Sequence, residues 1–381
     1  MQEGTSGAPA VVGVSSAVRA AVQSVPPIWL RDNCWCGDCR DAPSGQKLFG
    51  ILDLSASPSI ESLAEAGDDV IVVLAPDGHA ARFPRAWLLE SAGSGPGSTK
   101  AADAADEREC WLARDLQGRE PVFDWPDYVG RDDVKVEALR CVARLGFALL
   151  RCTPATEGTV LQVAASFGYV RETNYGRLFD VRAVVNPTNL AYTGLAIAPH
   201  TDNPYRDPVP TLQLLHCVSN AVEGGESGLV DGFRAAALLR AEDSESFDIL
   251  TTTAVPFAWS DGRHVLRAER PLVEEDRRGE LRAVRFNNRS MQALRLPKDE
   301  LLSFYGAYRS FAEIVSRPEL AFGFRLEEGD CVIFDNLRLL HSRTAFEDGA
   351  SGSRHLQGCY ADMDGLRSTL AVLSGEGPVG R

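Results

Sequence analysis

The sequence predicts a mainly β protein with flanking helices, divided into a large domain and a small β-rich N-terminal domain. Apolar segments with strand character outnumber helical ones and do not alternate regularly with them, which favours a sandwich or barrel over a parallel α/β sheet. A run of small, flexible and charged residues could not build a core, and we place a linker at residues 96–109. This leaves residues 1–95 as the small domain and residues 110–381 as the large one.

The small domain carries a predicted hairpin and a cluster of three cysteines. An apolar strand, a turn at Asp77-Gly78 and a returning strand follow one another in DVIVVLAPDGHAARFPRAWLL. Upstream, WLRDNCWCGDCRD offers three closely spaced thiols, and a histidine directly after the turn is the natural fourth ligand of a tetrahedral zinc site. The predicted ligands are Cys34, Cys36, Cys39 and His79. Unligated buried thiols are the alternative, and an iron–sulfur cluster would prefer a fourth cysteine.

The large domain begins with a predicted helix and strand. In DDVKVEALRCVARLGFALLRC, the helical apolar spacing ends at Gly146, and a short apolar strand follows. Three further strands are predicted in PTLQLLHCV, LRAVRFN and GDCVIFDN, and an amphipathic helix is predicted in KDELLSFYGAYRSFAEIVSR. Strands therefore dominate near the residues that could carry chemistry.

Composition and charge limit the classes of partner. The chain has 39 basic and 53 acidic residues, a net charge of −14, so a field that attracts nucleic acid or an acidic membrane is not expected. No apolar run reaches the roughly 20 residues needed to span a bilayer. The first residues lack a basic region and a sustained apolar core, so no signal peptide is expected. Nine cysteines, an odd number with one tight cluster, favour a reducing, cytoplasmic location.

Two segments of the large domain hold residues that could bind one metal ion. IAPHTDNPYRDP contains His200 and Asp202, which would share a face on a strand, although the Asn-Pro pair that follows also fits a capped turn. In EEGDCVIFDNLRLLHSRTAF, an apolar strand precedes a polar loop that delivers His341, and Arg354 comes thirteen residues later. Two histidines and one carboxylate form a facial triad that leaves three positions open on Fe(II). The planar fork of an arginine suits the far carboxylate of 2-oxoglutarate.

The chain resembles the γ-butyrobetaine dioxygenase group of Fe(II)/2-oxoglutarate-dependent oxygenases. The resemblance covers nearly the whole chain and is carried by NLAYTGLAIAPHTDNPYRDPVPTLQLLHC, GGESGLVDGF, FDNLRLLHSR and SRHLQGCYAD. It implies a double-stranded β-helix (jelly-roll) catalytic domain, a structural zinc site of three cysteines and one histidine, O2 as co-substrate, and frequent homodimers. It assigns iron to His200, Asp202 and His341, and 2-oxoglutarate to Arg354. Ser227 stands where related enzymes place a threonine on the co-substrate.

The resemblance further implies a small zwitterionic substrate with a trimethylammonium group. Members of the group hold this cation in a cage of aromatic rings, through cation–π attraction of about 0.5–2 kcal/mol per ring. The positions that match the cage are Tyr175, Phe179, Tyr192 and Tyr360. Phe179 replaces a tryptophan of the animal enzymes and Asn203 replaces a tyrosine, so we expect a thinner and more polar cage. His216 and His355 match no ligand position and are interpreted as structural.

The residues expected at the anionic end of the substrate favour a phosphonate, hydroxylated at the carbon next to phosphorus. In VRFNNRSMQ, Asn288 matches the asparagine that the group uses for the anion, and Arg289 follows where the animal enzymes have a small residue. The set that would suit a highly charged anion is Asn189, Asn203, Tyr205, Asn288 and Arg289. This pattern resembles the bacterial 2-(trimethylamino)ethylphosphonate dioxygenases; an arginine that faces solvent is the alternative. The competing functions are γ-butyrobetaine hydroxylation to carnitine, trimethyllysine hydroxylation and protein-directed hydroxylation.

Overall fold

The structure is a computed structural model that describes residues 10–92, 108–182, 193–346 and 354–375. The chain divides into two compact units, Met1–Asp106 with Gly377–Arg381 and Glu107–Glu376. The first is called the N-terminal unit and the second the large unit. The division falls inside the predicted linker, most of which lies outside the described residues.

The N-terminal unit combines a sheet with three helices. Its described elements are β1 (Ala10–Val12), α1 (Ser16–Ser24), α2 (Pro27–Asp32), β2 (Ser59–Ala66), β3 (Asp69–Ala75), β4 (His79–Pro84) and α3 (Arg85–Ala92). The described strands form a sheet with the order β1-β2-β3-β4, in which β1 and β2 are parallel and the other neighbours antiparallel. The three helices pack against the buried face of this sheet and form one hydrophobic cluster with it.

The predicted hairpin is present as β3 and β4. Gly78 in its turn has a φ of +67°, a left-handed conformation that glycine adopts without steric cost. β3 buries Val70 and Val72 on one face, as the alternation of a strand requires. The end of the segment differs from the prediction, because RAWLLESA forms α3 instead of continuing the strand. Leu88 and Ala92, one helical turn apart, are both buried, and this spacing favours the helix.

The large unit is built from strands with helices around them. Its described strands are β5 (Val122–Asp124), β6 (Phe147–Arg151), β7 (Val170–Arg171), β8 (Phe179–Arg182), β9 (Ile197–His200), β10 (Leu212–Asn220), β11 (Ser227–Asp231), β12 (Val255–Ser260), β13 (Val265–Arg270), β14 (Val273–Glu275), β15 (Leu281–Val284), β16 (Ala321–Phe324), β17 (Cys331–Asp335), β18 (Leu339–Arg343) and β19 (Arg354–Ala361). Its described helices are α4 (Trp125–Gly130), α5 (Asp132–Leu145), α6 (Thr159–Ala165), α7 (Gly232–Glu242), α8 (Ser244–Thr252), α9 (Lys298–Val315) and α10 (Met363–Leu373).

Two sheets of the large unit enclose one cavity. The described strands of the larger sheet have the order β5-β6-β17-β10-β19-β7, and β8 pairs with β19 beside this path. The smaller sheet has the order β16-β11-β18-β9. Gln213 and Arg354 line the cavity from the larger sheet, and His200 and Ser227 line it from the smaller one. This arrangement is a double-stranded β-helix, and the predicted fold class is confirmed.

The helices pack around the sheets where their apolar faces predict. Helix α5 ends at Leu145 and Gly146 follows with a φ of +90°, which lets its N–H donate to the carbonyl of Val142 before β6 begins. Helix α9 covers the predicted segment, and it packs with α7 and α8 in one hydrophobic cluster. Among the helices that the structure describes, none combines the length and apolar character needed to cross a membrane.

Candidate active site

The two histidines of the candidate triad lie opposite each other on neighbouring strands. His200 is the last residue of β9, and it pairs with His341 in the antiparallel register of β9 and β18. Their ring centroids are 4.0 Å apart. The predicted polar loop around His341 is wrong, because LLHSR forms strand β18. Strand pairing therefore brings the two imidazoles together.

Asp202 lies in a turn after β9 and not on the strand that was predicted to hold it. The next residue, Asn203, has a φ of +58°, in the left-handed region. The buried side chain of Asn336 holds this turn: its Oδ1 accepts from the N–H of Asp202 at 2.8 Å, and its Nδ2 donates to the carbonyls of Asp202 and Pro210 at 3.0 Å each. A fixed turn, rather than strand alternation, directs the carboxylate toward the histidines.

The ligand atoms of the triad converge on a space that suits one metal ion. Nε2 of His200 lies 3.5 Å from Oδ1 of Asp202, and Nε2 of His341 lies 3.8 Å from Oδ2 of the same carboxylate. The three ligand atoms all lie within 4.8 Å of one another. Nδ1 of His200 donates to the carbonyl of Ala198 at 2.9 Å, which fixes the tautomer and leaves Nε2 for a metal.

Burial and neighbouring groups set the protonation of the triad. Burial raises the pKa of the Asp202 carboxyl, but hydrogen bonding by His200 and the charge of His341 outweigh burial and hold the pKa well below its usual range. Burial and the charge of His200 lower the pKa of His341 to about 3. Nε2 of Gln213 and the hydroxyl of Tyr360 each donate to Oδ2 of Asp202 at 3.1 Å. The result is a carboxylate beside a neutral imidazole, the forms that bind metal.

The residues predicted to bind 2-oxoglutarate line the same cavity, which has a volume of about 110 Å³ and is partly open to solvent. Arg354 is buried, and its guanidinium carbon lies 5.5 Å from the centroid of the Phe346 ring. Gly225 leaves room for this side chain, since a Cβ there would lie 3.1 Å from Cδ and Nε of Arg354. Ser227 lines the cavity from β11. The structure thus brings both predicted residues to the cavity of the triad.

Three of the four predicted cage residues form an aromatic wall, here defined as Tyr175, Phe179 and Tyr360. The ring centroids of Phe179 and Tyr360 are 5.2 Å apart, and those of Tyr175 and Phe179 are 6.0 Å apart. All three side chains line the cavity of the triad. The fourth predicted cage residue, Tyr192, and the predicted polar contact Asn189 lie outside the described residues.

The polar residues predicted for the anionic end lie in different environments. Asn203 and Tyr205 are buried, and the hydroxyl of Tyr205 donates to Oδ1 of Asn203 at 2.6 Å. Arg289 is exposed, and it lines both the cavity of the triad and an adjoining cavity of about 360 Å³. Asn288 is exposed and lines neither cavity, whereas the preceding Asn287 is buried and lines the adjoining one. The structure therefore favours Asn287 over the predicted Asn288 as the asparagine that could contact the anionic end of a substrate.

Several lining residues were missed from the sequence, among them Trp259 and Arg343. Trp259 on β12 lines the adjoining cavity, with its ring centroid 5.7 Å from that of Tyr175 and 6.0 Å from that of Tyr205. Arg343 lines the cavity of the triad and donates from Nη2 to two carbonyls of residues 193–195, at 2.6 Å each. Alternation along β18 would have found Arg343 if the strand had been predicted. Trp259 is far in sequence from every motif, so only the folded chain reveals it.

The predicted zinc ligands converge in the N-terminal unit. Nε2 of His79 lies 3.3 Å from Sγ of Cys34, 3.6 Å from Sγ of Cys36 and 3.3 Å from Sγ of Cys39. Tetrahedral zinc with three thiolates and one imidazole requires separations of about 3.5 Å between such atoms. Nη1 of Arg31 donates to Sγ of Cys39 at 3.3 Å, which stabilises a thiolate there. The donor set fits Zn(II), and four protein ligands leave no open position, so this site is structural.

Comparisons with known proteins agree with this geometry. Residues 112–360 match the family described as taurine catabolism dioxygenase TauD, TfdA family. The chain is 35% identical over 347 residues to a γ-butyrobetaine dioxygenase of Pseudomonas sp. (strain AK-1), which covers 91% of this chain and 89% of that protein. The chain belongs to this family, in its γ-butyrobetaine dioxygenase group. It is also 31% identical to the γ-butyrobetaine dioxygenase of Homo sapiens, over 91% of this chain and 90% of that protein. A trimethyllysine dioxygenase of Meyerozyma guilliermondii is 30% identical, over 92% of this chain and 91% of that protein.

This member of the TauD/TfdA family is an Fe(II)/2-oxoglutarate-dependent dioxygenase. The two imidazoles and one carboxylate of the triad fit Fe(II), since this donor set is that of a facial triad and all three side chains line the cavity. When bound, iron with 2-oxoglutarate and O2 supplies the oxidant that hydroxylates a substrate carbon, as 2-oxoglutarate becomes succinate and carbon dioxide. The protein contributes ligand positions, substrate position and exclusion of water.

Proposed function

We propose that the chain hydroxylates a small trimethylammonium compound, with 2-(trimethylamino)ethylphosphonate as the leading candidate. The observation that carries the proposal is the aromatic wall of Tyr175, Phe179 and Tyr360, which lines the same cavity as the triad. A quaternary ammonium has no hydrogen to donate, so ring faces can replace its hydration without leaving a donor unsatisfied. A wall of this kind beside an oxidising centre suits a substrate of this class.

In this proposal the polar side chains of the cavity bind iron and 2-oxoglutarate. His200, Asp202 and His341 hold iron, and Arg354 binds the far carboxylate of 2-oxoglutarate through its planar fork. Burial of Arg354 supports this role, because a charge pair shielded from water is stronger than an exposed one. Ser227 supports the same carboxylate through its hydroxyl.

The aromatic wall selects the cation and also fixes its distance from the triad. The hydroxyl of Tyr360 donates to Asp202, so a cation held against this ring lies beside a metal ligand. Each well-placed ring contributes about 0.5–2 kcal/mol of cation–π attraction. With the cation held at the wall and the anion held elsewhere, the carbon that faces iron is selected by its distance from both ends.

Arg289 favours a phosphonate at the anionic end. It lines both cavities, and its charge acts on Asp202 and His341, so the guanidinium lies near the triad. Asn203 lines both cavities and Asn287 lines the adjoining one, each with an amide group that can contact an anion. A doubly charged phosphonate gains more from a guanidinium than a carboxylate does, and the carbon next to phosphorus is the expected site of hydroxylation.

γ-Butyrobetaine is the second candidate substrate. The 35% identity to a γ-butyrobetaine dioxygenase over 91% of the chain favours it, and its product would be carnitine. The trimethyllysine dioxygenase at 30% identity makes trimethyllysine a third compound to test. The phosphonate, γ-butyrobetaine and trimethyllysine carry the same trimethylammonium group and differ at the anionic end. Each would place the same cation at the aromatic wall and offer a different anion to Arg289. A protein-directed hydroxylase would instead require a trimethylated peptide as substrate.

Succinate formation by the iron-loaded protein tests the proposal. The three small compounds and a trimethylated peptide are offered in parallel with 2-oxoglutarate, and the hydroxylated product is identified by mass spectrometry. We expect turnover with a small trimethylammonium compound and the highest kcat/KM with the phosphonate. The absence of turnover with all three small trimethylammonium compounds would overturn the proposal. A preference for γ-butyrobetaine would keep the class and replace the leading candidate.

Replacement of Arg289 separates the two leading candidates. Arg289→Ala should raise the KM of the phosphonate about tenfold or more, because a hydrogen-bonded charge is worth roughly 1.5–3 kcal/mol. The matched control is Arg295→Ala, since Arg295 is exposed and lines neither of the cavities at the triad. Equal KM values for both variants would mean that Arg289 faces solvent and does not select the anion.

A further inference from the structure

The aromatic wall depends on a close approach between Phe179 and Gly358. The two residues oppose each other in the register of β8 and β19. A Cβ at position 358 would lie 2.4 Å from Cε2 and from Cζ of Phe179. Packed carbon atoms are separated by about 3.5–4.0 Å, so the ring occupies space that any other residue at position 358 would need. The second neighbour of such a Cβ is Leu215, whose Cδ2 would be 3.1 Å away.

The outer face of the larger sheet holds β8 in place behind this contact. Side chains alternate along a strand, so Asp180 points away from the face that carries Phe179. Its Oδ1 accepts from Nε2 of His355 at 2.7 Å and from Nε2 of Gln357 at 3.0 Å. Gln357 in turn accepts the N–H of Gly158 at 2.7 Å. Because these hydrogen bonds tie β8 to β19, an added methyl at position 358 would move the ring rather than the strand.

A displaced Phe179 ring would move toward the cavity. The centroid of the Phe179 ring lies 6.0 Å from that of Tyr175 and 5.2 Å from that of Tyr360, so rings flank it on two sides. The free space in front of these three side chains is the cavity that they line. Movement of the ring therefore reduces the volume available to a bound cation.

We propose that Gly358 is a specificity-determining residue: its missing side chain sets the depth of the aromatic wall and hence the size of the onium group that the cavity admits. The proposal rests on the proposed function, because it takes the wall to be the binding surface for a trimethylammonium group. It also assigns a positioning role to Asp180 and to His355, which hold the strand behind the wall.

Gly358→Ala tests the proposal. The variant should raise the KM of the preferred trimethylammonium substrate by about tenfold, since the displaced ring takes up space that the cation needs and leaves the position for a favourable cation–π contact. The KM of the co-substrate should stay unchanged, and the dimethylamino analogue of the substrate should be affected less. Calorimetric titration of the substrate into protein loaded with iron and 2-oxoglutarate, without oxygen, measures the same loss independently of turnover. Gly323→Ala is the matched control, because Gly323 also lies in a strand and a Cβ there meets nothing within 4 Å.

A double variant distinguishes the ring contact from a general effect on the sheet. In Gly358→Ala combined with Phe179→Leu, the clash is absent, so affinity should return to that of Phe179→Leu alone. If Gly358→Ala does not fold, recovery of folding in the double variant supports the proposal, and an unfolded double variant overturns it. Unchanged affinity in Gly358→Ala also overturns it, and so does a double variant that binds the substrate more weakly than Phe179→Leu alone. If the wild-type protein itself binds no trimethylammonium compound, the proposed function fails first, which is a separate result.

Discussion

At the scale of single residues, the orientation of the Asp202 carboxylate is fixed by hydrogen bonds from neighbouring side chains. One of its oxygens accepts hydrogen bonds from Gln213 and Tyr360, while the histidines of the triad lie on its other approaches. Such outer partners orient a metal ligand and are as much part of the site as the ligand itself. Tyr360 is unusual in serving two tasks, since its ring belongs to the aromatic wall and its hydroxyl orients the iron ligand.

Tyr360→Phe separates these two tasks. The ring remains and the hydrogen bond to Asp202 is lost, so we expect the Fe(II) concentration for half-maximal activity to rise about tenfold, the lower end of the effect of such outer partners. The hydrogen bond from Gln213 to the same oxygen keeps the loss at this lower end. The KM of the substrate should change little, because the aromatic face is retained.

Titration of apoprotein with Fe(II) under steady-state conditions measures the effect. Tyr308→Phe is the control, since Tyr308 packs against a hydrophobic cluster away from the cavity. An unchanged iron requirement in Tyr360→Phe would mean that Gln213 alone orients the carboxylate.

At the scale of secondary-structure elements, the site is a product of strand pairing and one fixed turn. The β9–β18 register sets the two histidines opposite each other, and Asn336, in the turn between β17 and β18, holds the turn of Asp202. Asn336 belongs to the FDN segment, for which the sequence predicted only a strand end. Its three hydrogen bonds connect the two segments that carry the triad.

Asn336→Ala should therefore weaken both the fold and the metal site. Removal of the amide leaves buried backbone groups of Asp202 without partners, at about 1–3 kcal/mol each, so the free energy of unfolding should fall by roughly 3 kcal/mol. Urea denaturation measures this loss, and iron titration should show weaker binding as well. Asn288→Ala is the control, because Asn288 is exposed and exposed substitutions change stability by about 0.5 kcal/mol or less. Equal denaturation midpoints for the two variants would contradict the assigned role of Asn336.

At the scale of the whole molecule, the two units have separate hydrophobic clusters and separate metal sites. The N-terminal cluster includes buried Cys34 and Cys39, so two of the four predicted zinc ligands are part of that core. A core of this size gains much from a metal, because structural zinc contributes about 10–16 kcal/mol in small zinc-binding peptides.

Loss of one zinc ligand should unfold the N-terminal unit. Cys34→Ser should bind less than one zinc per chain, and residues 10–92 should become sensitive to protease, because the metal no longer joins the cysteine segment to β4. Elemental analysis and limited proteolysis measure the two effects. Cys152→Ser is the control, since Cys152 is exposed and belongs to neither metal cluster. Full zinc content in Cys34→Ser would show that another residue takes its place.

Local patterns in the sequence were sufficient for elements whose signals lie within a few residues. Local spacing and turn-forming residues predict three such elements: the hairpin at Gly78, helix α5 with its end at Gly146, and helix α9. The assignment failed where neighbours in space decide. Strand β18 was predicted as a loop, because its polar residues do not indicate a strand. The strand forms by pairing with β9 and β11, which are distant in the chain and which a local pattern does not reveal.

The sequence by itself determined the chemistry of this protein: the types of ligand, their order and the family motifs that carry a facial triad, an arginine and a cysteine cluster. Only the tertiary structure decided the geometry of the cavity. It shows that Asn287, and not Asn288, lines a cavity, and that Trp259 and Arg343 belong to the lining. It also places Gly358 against Phe179. The physical reason is that ligand identity is a property of single side chains, whereas the shape of a cavity depends on contacts between strands far apart in sequence.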